Sequence, residues 1–144
     1  MRWTHSTRID APADVVWQLT TDVEAWPATT PTMQSVKRLD DGPLRVGSQA
    51  RIKQPAQAEA VWTVSRLEPG REFGWESRRR GLVLTGTHTV TADGEGCRNT
   101  LALDATGPLA VPLGLVLGAA FRRVLRTENA GFKAAAERQV SDAA

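Results

Sequence analysis

The sequence predicts an α+β domain in which one curved, seven-stranded antiparallel sheet is covered by a single long C-terminal helix, with two short helices after the first strand. Three observations carry this prediction. Over residues 109–140 the apolar side chains Leu113, Leu117, Phe121, Val124, Leu125, Phe132 and Ala135 recur largely in steps of three and four, the period of one helical face. Upstream of Gly107 apolar and polar positions alternate instead, the period of a half-buried strand. The segments between are short and carry turn chemistry, as in Asp40-Asp41-Gly42-Pro43, Glu68-Pro69-Gly70-Arg71 and Asp93-Gly94-Glu95-Gly96. Hairpin-length connections favour antiparallel neighbours over crossover units.

Taken in order, Trp3, His5, Thr7 and Ile9 fall on one side of a first strand. Asp10-Ala11-Pro12 stops it; Asp10 or Ala11 can cap a short helix with Pro12 in its first turn and Val15, Val16 and Leu19 as its apolar stripe. Residues 22–26 add a turn or two of helix, ended by Pro27 and Pro31. Strands follow over 33–39, over 48–54 with Arg51 and Lys53 outward, over 59–67 with Trp62 and Val64 on one face, and over 73–78 with Phe73, Trp75 and Ser77 together. The next places Leu82, Leu84, Gly86, His88 and Val90 on one side and Thr85, Thr87, Thr89 and Thr91 on the other; the last, 98–106, turns Leu101, Leu103 and Ala105 inward. A sheet with one polar face twists and curls, and only the long helix can cover its apolar face.

That helix, at about 1.5 Å per residue, is roughly 40 Å long. Pro108 discourages helix before it and Pro112 is tolerated in its first turn. Its outer face carries Arg122, Arg126, Lys133 and Glu137. Residues 109–121 are all apolar, glycine or proline, but the run is shorter than the ~20 residues a membrane span needs, so a buried core helix is expected. Gly114 and Gly118, four apart on the apolar side, either permit close backbone approach or leave room for a ligand.

With 144 residues, 41% hydrophobic and 24% charged, the chain is expected to form one globular domain over 1–140 with a loose tail over 141–144. A net charge of +2 and the absence of aromatics interleaved with the arginines disfavour nucleic acid. The single Cys97 allows no internal disulfide, in keeping with a reducing cytoplasm, and the first residues lack an apolar signal core. No nucleophile elbow, phosphate-binding loop or dinucleotide fingerprint occurs, and two histidines and one cysteine on separate strands make no recognisable zinc site; neither metal nor cofactor is expected. Tyrosine is absent, which removes phenolic acid/base chemistry. His88 stands out because its strand-mates place it on an apolar face: either a core histidine bonded to a backbone carbonyl, or a polar group that orients a ligand or exchanges a proton. His5 carries the same two alternatives. Arg78, Arg79 and Arg80 at a hairpin tip are either a solvated tip or a contact for an anionic head group or membrane surface.

Several stretches together resemble the helix-grip fold of the START-like superfamily, also called SRPBCC, and more narrowly its bacterial polyketide cyclase/dehydrase branch. They are Ile9-Asp10-Ala11-Pro12-Ala13-Asp14-Val15-Val16-Trp17, Asp22-Val23-Glu24-Ala25-Trp26-Pro27, Leu44-Arg45-Val46-Gly47-Ser48, Trp62-Thr63-Val64-Ser65-Arg66-Leu67-Glu68-Pro69-Gly70 and Gly107-Pro108-Leu109. The resemblance implies a deep, largely apolar cavity between sheet and long helix. Its implied walls are Trp26 and Met33 near the mouth, Trp62, Trp75, Leu84, His88 and Leu103 from the sheet, and Leu113, Leu117 and Phe121 from the helix; each is alternatively plain core. The indoles of Trp62 and Trp75 offer flat apolar area with one donor each. The leading expectation is binding, with or without transport, of a small apolar or amphipathic molecule such as a lipid or polyketide. A cyclase/dehydrase-type enzyme with His88 as acid/base is the alternative, and a protein-interaction module the second. A monomer or homodimer without a transmembrane segment, at most touching a membrane surface transiently, completes the expectation.

Overall fold

The structure, a computed structural model, describes residues 1–143. Strand β1 (Arg2–Ile9) leads into helix α1 (Ala13–Thr21), a 3₁₀ turn (Val23–Ala25) and helix α2 (Trp26–Thr29). Strands β2 (Ser35–Arg38), β3 (Gln49–Lys53), β4 (Ala60–Glu68), β5 (Glu72–Arg79), β6 (Leu82–Asp93) and β7 (Gly96–Thr106) follow, then helix α3 (Ala110–Ala143). The strands form one antiparallel sheet in the order β1-β7-β6-β5-β4-β3-β2. The short helices thus carry the chain from one edge of the sheet to the other, and hairpins fill in the middle. The seven-stranded helix-grip architecture expected from the sequence is present.

Strand β1 pairs with β7 in a register that sets Trp3 opposite Leu103, His5 opposite Leu101 and Ile9 opposite Cys97. Its inward face therefore continues that of β7, and α3 lies across both. Helix α1 starts with Pro12 at the N-cap itself, not inside the first turn, and buries Val16 and Thr20. Thr20, buried without an external partner, donates its hydroxyl to the Val16 carbonyl at 2.8 Å.

The packing of α3 differs from the sequence expectation by about one residue of phase. Ala110, Gly114, Gly118, Leu125, Glu128, Asn129, Phe132 and Ala136 are its buried positions, whereas Leu117 is exposed and Leu113 only partly buried at the edge of the core. The cause is the start of the chain, Met1 and Trp3. A Cβ on Gly114 would run into the Met1 thioether and stand 2.9 Å from Trp3 Cζ2, and one on Gly118 would stand 3.2 Å from Trp3 Nε1. The glycines are there for close approach and leave no ligand space, because the Trp3 indole fills it and packs at a tilt against Phe121, ring centroids 4.9 Å apart. Turning glycine inward turns Leu109, Val111, Leu115 and Val116 outward, so this half of the helix is not the buried core helix anticipated.

Farther along, Arg122 and Arg126 do face water, but Lys133 and Glu137 are half-buried tethers. Lys133 Nζ donates to the Arg8 carbonyl at 3.0 Å, and Glu137 accepts from the Asp10 amide at 2.9 Å. Deeper in, Asn129 is fully buried; its Oδ1 accepts from Asn99 Nδ2 at 2.9 Å while its Nδ2 lies 3.0 Å from the Asn99 carbonyl and 3.1 Å from His5 Nδ1. This network pins α3 to β1 and β7. It also assigns His5 a structural role, its carbonyl and its Nδ1 both lying within hydrogen-bond distance of Asn129 Nδ2. Residues 141–143, expected as tail, continue α3, and residue 144 lies outside the described residues.

Candidate functional site

Helix α3 rests chiefly on β1 and β7. Over the remaining strands the concave sheet face is filled by large side chains from β3–β6 and from α2, and a cavity of about 90 Å³ remains between them and the middle of α3. Alternation builds its floor: Ile52 of β3, Trp62 of β4, Trp75 of β5 and Leu84 and His88 of β6 all point to the helix side. Gly86 sits between Leu84 and His88 on that face, and a Cβ there would lie 3.6 Å from Trp75 and 3.8 Å from Trp62. With no side chain at this position both indoles lie close over the strand, their rings 6.0 Å apart.

Trp26 closes one end. Its ring stands 5.2 Å from Trp75 and 5.0 Å from His88, and its Nε1 is committed to the Leu19 carbonyl at 3.1 Å. Trp26 is therefore an apolar wall with its donor spent. The α3 side consists of Phe121, Val124, Leu125 and Glu128, and the loop after β3 contributes Gln54 and Gln57.

Two titratable groups face this apolar space. His88 is 5% exposed, ringed by Trp26, Phe73 and Phe132, with ring centroids 5.0 to 5.7 Å away. Desolvation lowers its pKa from 6.5 to about 4, so the ring is neutral at physiological pH. Its Nδ1 is buried with no hydrogen-bond partner among the described residues, in contrast to the carbonyl-bonded core histidine that was one alternative. Glu128, on α3, is 8% exposed. Burial raises its pKa from 4.5 to about 7, against a smaller opposing effect of one hydrogen bond, from Thr32 Oγ1 to its Oε1 at 2.9 Å. Thr32 is itself held by Thr30 Oγ1 at 3.0 Å. A neutral imidazole with a free nitrogen and a carboxyl close to half-protonated can each accept or donate a hydrogen bond to a guest, and the carboxyl can exchange a proton near neutral pH.

Of the wall residues expected from the sequence, Trp26, Met33, Trp62, Trp75, Leu84, His88, Leu103 and Phe121 line this cavity together. Leu113 and Leu117 do not, because the inward phase of α3 belongs to Gly114 and Gly118 there. Glu128 was missed. Its spacing of seven from Phe121 and four from Phe132 puts it on the buried stripe, and its charge masked that signal. Among the described residues no group of three or more His, Cys, Asp or Glu is placed to hold a metal, and no helix is long and apolar enough to cross a membrane.

Residues 1–137 match the family described as polyketide cyclase / dehydrase and lipid transport. No curated protein matches the chain in sequence. Among solved structures, the ZhuI aromatase/cyclase from Streptomyces sp. R1128 superposes with a TM-score of 0.78 at 23% identity, covering 97% of this chain and 95% of that one. A START superfamily protein from Mycobacterium smegmatis superposes equally well, at 0.78 with 16% identity over 96% and 98% of the two chains. The di-domain aromatase/cyclase BexL of the BE-7585A biosynthetic pathway matches at 0.73 with 22% identity; 92% of this chain covers 45% of that one.

Proposed function

Because the chain belongs to the polyketide cyclase/dehydrase and lipid transport family, we propose that it binds a flat, largely apolar small molecule carrying at least one hydroxyl or carbonyl oxygen, in the cavity between the sheet and α3. The carrying observation is His88 Nδ1, buried without a partner, and Glu128, whose carboxyl receives a single hydroxyl, on walls made mostly of aromatic and aliphatic side chains. Burying a polar group without a partner costs about 1–3 kcal/mol, and a guest with oxygens at those two places recovers part of it. Flatness follows from the indoles of Trp62 and Trp75, which present ring faces and edges.

The cavity limits the guest. At about 90 Å³ it is smaller than the ~150 Å³ site that accepts benzene, and well below the several hundred Å³ of drug-sized pockets. A ring-bearing guest therefore moves side chains aside, and Met33, Gln54 and Gln57, which come from irregular segments, are the ones least held by the sheet.

A second function, dehydration in a cyclase/dehydrase-type reaction, is favoured by one observation: a buried carboxyl with a pKa of about 7 in an apolar pocket. The Glu128 carboxylate would take a proton from the carbon next to a carbonyl, and the same carboxyl would return it to the β-hydroxyl as that leaves. A C–H and a C–O bond break, a C=C bond forms, and water departs. His88, with a pKa of about 4, is too weak a base for that step and serves better as a hydrogen-bonding partner for the carbonyl. This moves the proton transfer from His88, the group expected from the sequence, to Glu128.

Native mass spectrometry of freshly purified protein, followed by extraction, tests both. A stoichiometric aromatic or amphipathic adduct supports binding. Titration with phenol, 2-naphthol and a hydroxyanthraquinone should quench tryptophan fluorescence saturably, and Leu84→Trp should abolish the quenching. No quenching by any of the three, with no native adduct, would refute the proposal. A β-hydroxy ketone recovered lighter by one water, in wild type and not in Glu128→Gln, separates catalysis from carriage.

A further inference from the structure

Helix α3 begins with three turns whose outward side chains are apolar. Leu109, one residue before the helix, is 51% exposed, Val111 58%, Leu115 77% and Val116 79%. Side chains this exposed on consecutive turns are not explained by the core, which α3 reaches through its glycines. They project from a convex helix, and residues 109–120 line none of the described cavities. The face offers knobs without sockets.

Its frame is uniformly basic. Val111, Leu115, Arg122 and Arg126 share one helical face through spacings of four, seven and four, and Val116 and Arg123 are seven apart. At the other end the β5–β6 hairpin abuts the start of the helix: the Leu109 amide donates to the Gly81 carbonyl at 3.0 Å, and a Cβ on Gly81 would touch Leu109 at 3.1 Å. That contact brings exposed Arg79 and Arg80 beside Leu109. Arg78 is ion-paired to Glu76, but Arg79, Arg80, Arg122, Arg123 and Arg126 have no carboxylate partner among the described residues. Residues 105–127 contain no Asp or Glu. The two basic clusters are about 20 Å apart along the helix.

We propose that this face is a docking surface for an anionic lipid bilayer, with the helix lying flat, Leu109, Val111, Leu115 and Val116 in the headgroup–acyl boundary and the two arginine clusters on anionic headgroups. Apolar knobs suit a fluid apolar medium, and a basic frame suits its charged surface. A second copy fits worse. A two-fold contact between these helices, antiparallel, sets the Arg79/Arg80 end of one against the Arg122/Arg126 end of the other, like charge on like. The docked orientation also has a use. Arg123 and Val124 border a groove with Thr32, Gln54 and Gln57, and the last two, with Val124, line the cavity as well. Docking brings the mouth of the cavity to the bilayer, where a sparingly soluble guest is concentrated.

The test is sedimentation with vesicles of phosphatidylcholine and phosphatidylglycerol in equal parts, against phosphatidylcholine alone, at low and high salt. Binding is expected to the anionic vesicles and to weaken with salt. Arg122→Gln with Arg123→Gln should lower the partition coefficient roughly 25-fold, at about fivefold per arginine. Leu115→Gln with Val116→Gln should lower it more than tenfold at unchanged melting temperature. Leu84→Trp, which fills the cavity, should dock like wild type, so failure of the ligand-binding proposal and failure of this one are separable. Absence of binding to anionic vesicles at low salt overturns the inference. So does equal binding by the Leu115/Val116 variant. A concentration-dependent dimer that the same variant dissolves, with no vesicle binding, assigns the face to a second copy instead.

Discussion

Replacing Glu128 by Gln should stabilise the protein above neutral pH and change little below about pH 4.5. Burial raises the Glu128 pKa from 4.5 to about 7, so between those values the folded protein holds a proton that the unfolded chain has released. Stability from this group is fully present below 4.5 and is lost as pH rises through about 7. Each tenfold in proton affinity is about 1.4 kcal/mol, so the loss at pH 8 is about 3 kcal/mol. Glutamine keeps the shape and still accepts the Thr32 hydroxyl, but it never ionises. For a chain of this size 3 kcal/mol is a melting-temperature difference of about 10 °C. His88 has the opposite sign: its pKa falls from 6.5 to about 4, so its contribution is present above 6.5 and lost as pH drops through about 4. In wild type the two nearly cancel between pH 4.5 and 6.5. In Glu128→Gln only the histidine remains, and stability should climb by about 3 kcal/mol from pH 4 to 6.5. Urea unfolding of both proteins at half-unit pH steps measures this. A difference between them that stays constant from pH 4.5 to 8 would refute the buried, proton-holding Glu128.

Gly118→Leu should lower stability by about 2 kcal/mol through overpacking against Trp3, while the affinity for 2-naphthol stays within twofold; a selective loss of affinity would return the glycine to the cavity wall. Asn129→Ala should cost about 3 kcal/mol in urea unfolding, because it strands Asn99 and the His5 carbonyl inside the protein; a cost below about 1 kcal/mol would show that water replaces the network. Leu84→Trp should fold with an unchanged or higher melting temperature, since it fills space beside Trp62 and Trp75 instead of displacing core, and calorimetry against wild type checks this.

The sheet was legible because each strand alternates and each turn carries Gly, Pro or Asp, so the faces of Trp62, Trp75, Leu84 and His88 followed from counting by two. The phase of α3 was not. Between 109 and 121 every residue is apolar, glycine or proline, so no polar side chain marks the water side, and the inward face is chosen by Met1 and Trp3 from the opposite end of the chain. Counting apolar residues selects Leu113 and Leu117; Met1 and Trp3 select Gly114 and Gly118. Farther along the helix the failure has another origin. Glu128 and Asn129 occupy buried positions of the stripe, and Asn99 alternates with Leu101 on the inward side of β7, yet polar residues are read outward by habit.

Glu128 and Asn129 also separate structure from function by a simple count. They are adjacent on one helix and comparably buried. Asn129 engages both its oxygen and its nitrogen with groups of β1 and β7, which leaves little for a guest to use. Glu128 receives one hydroxyl, from Thr32, and its second oxygen has no partner among the described residues although the side chain lines the cavity. A buried amide satisfied on every side holds two layers together. A buried carboxyl satisfied on one side, lining the same cavity as an imidazole nitrogen satisfied on none, destabilises an empty protein and rewards a filled one. Glu128→Gln removes the ionisation and keeps both hydrogen-bonding positions, so it should gain stability above neutral pH while still binding a guest, and loss of binding in that variant would show that the guest reads the carboxylate charge.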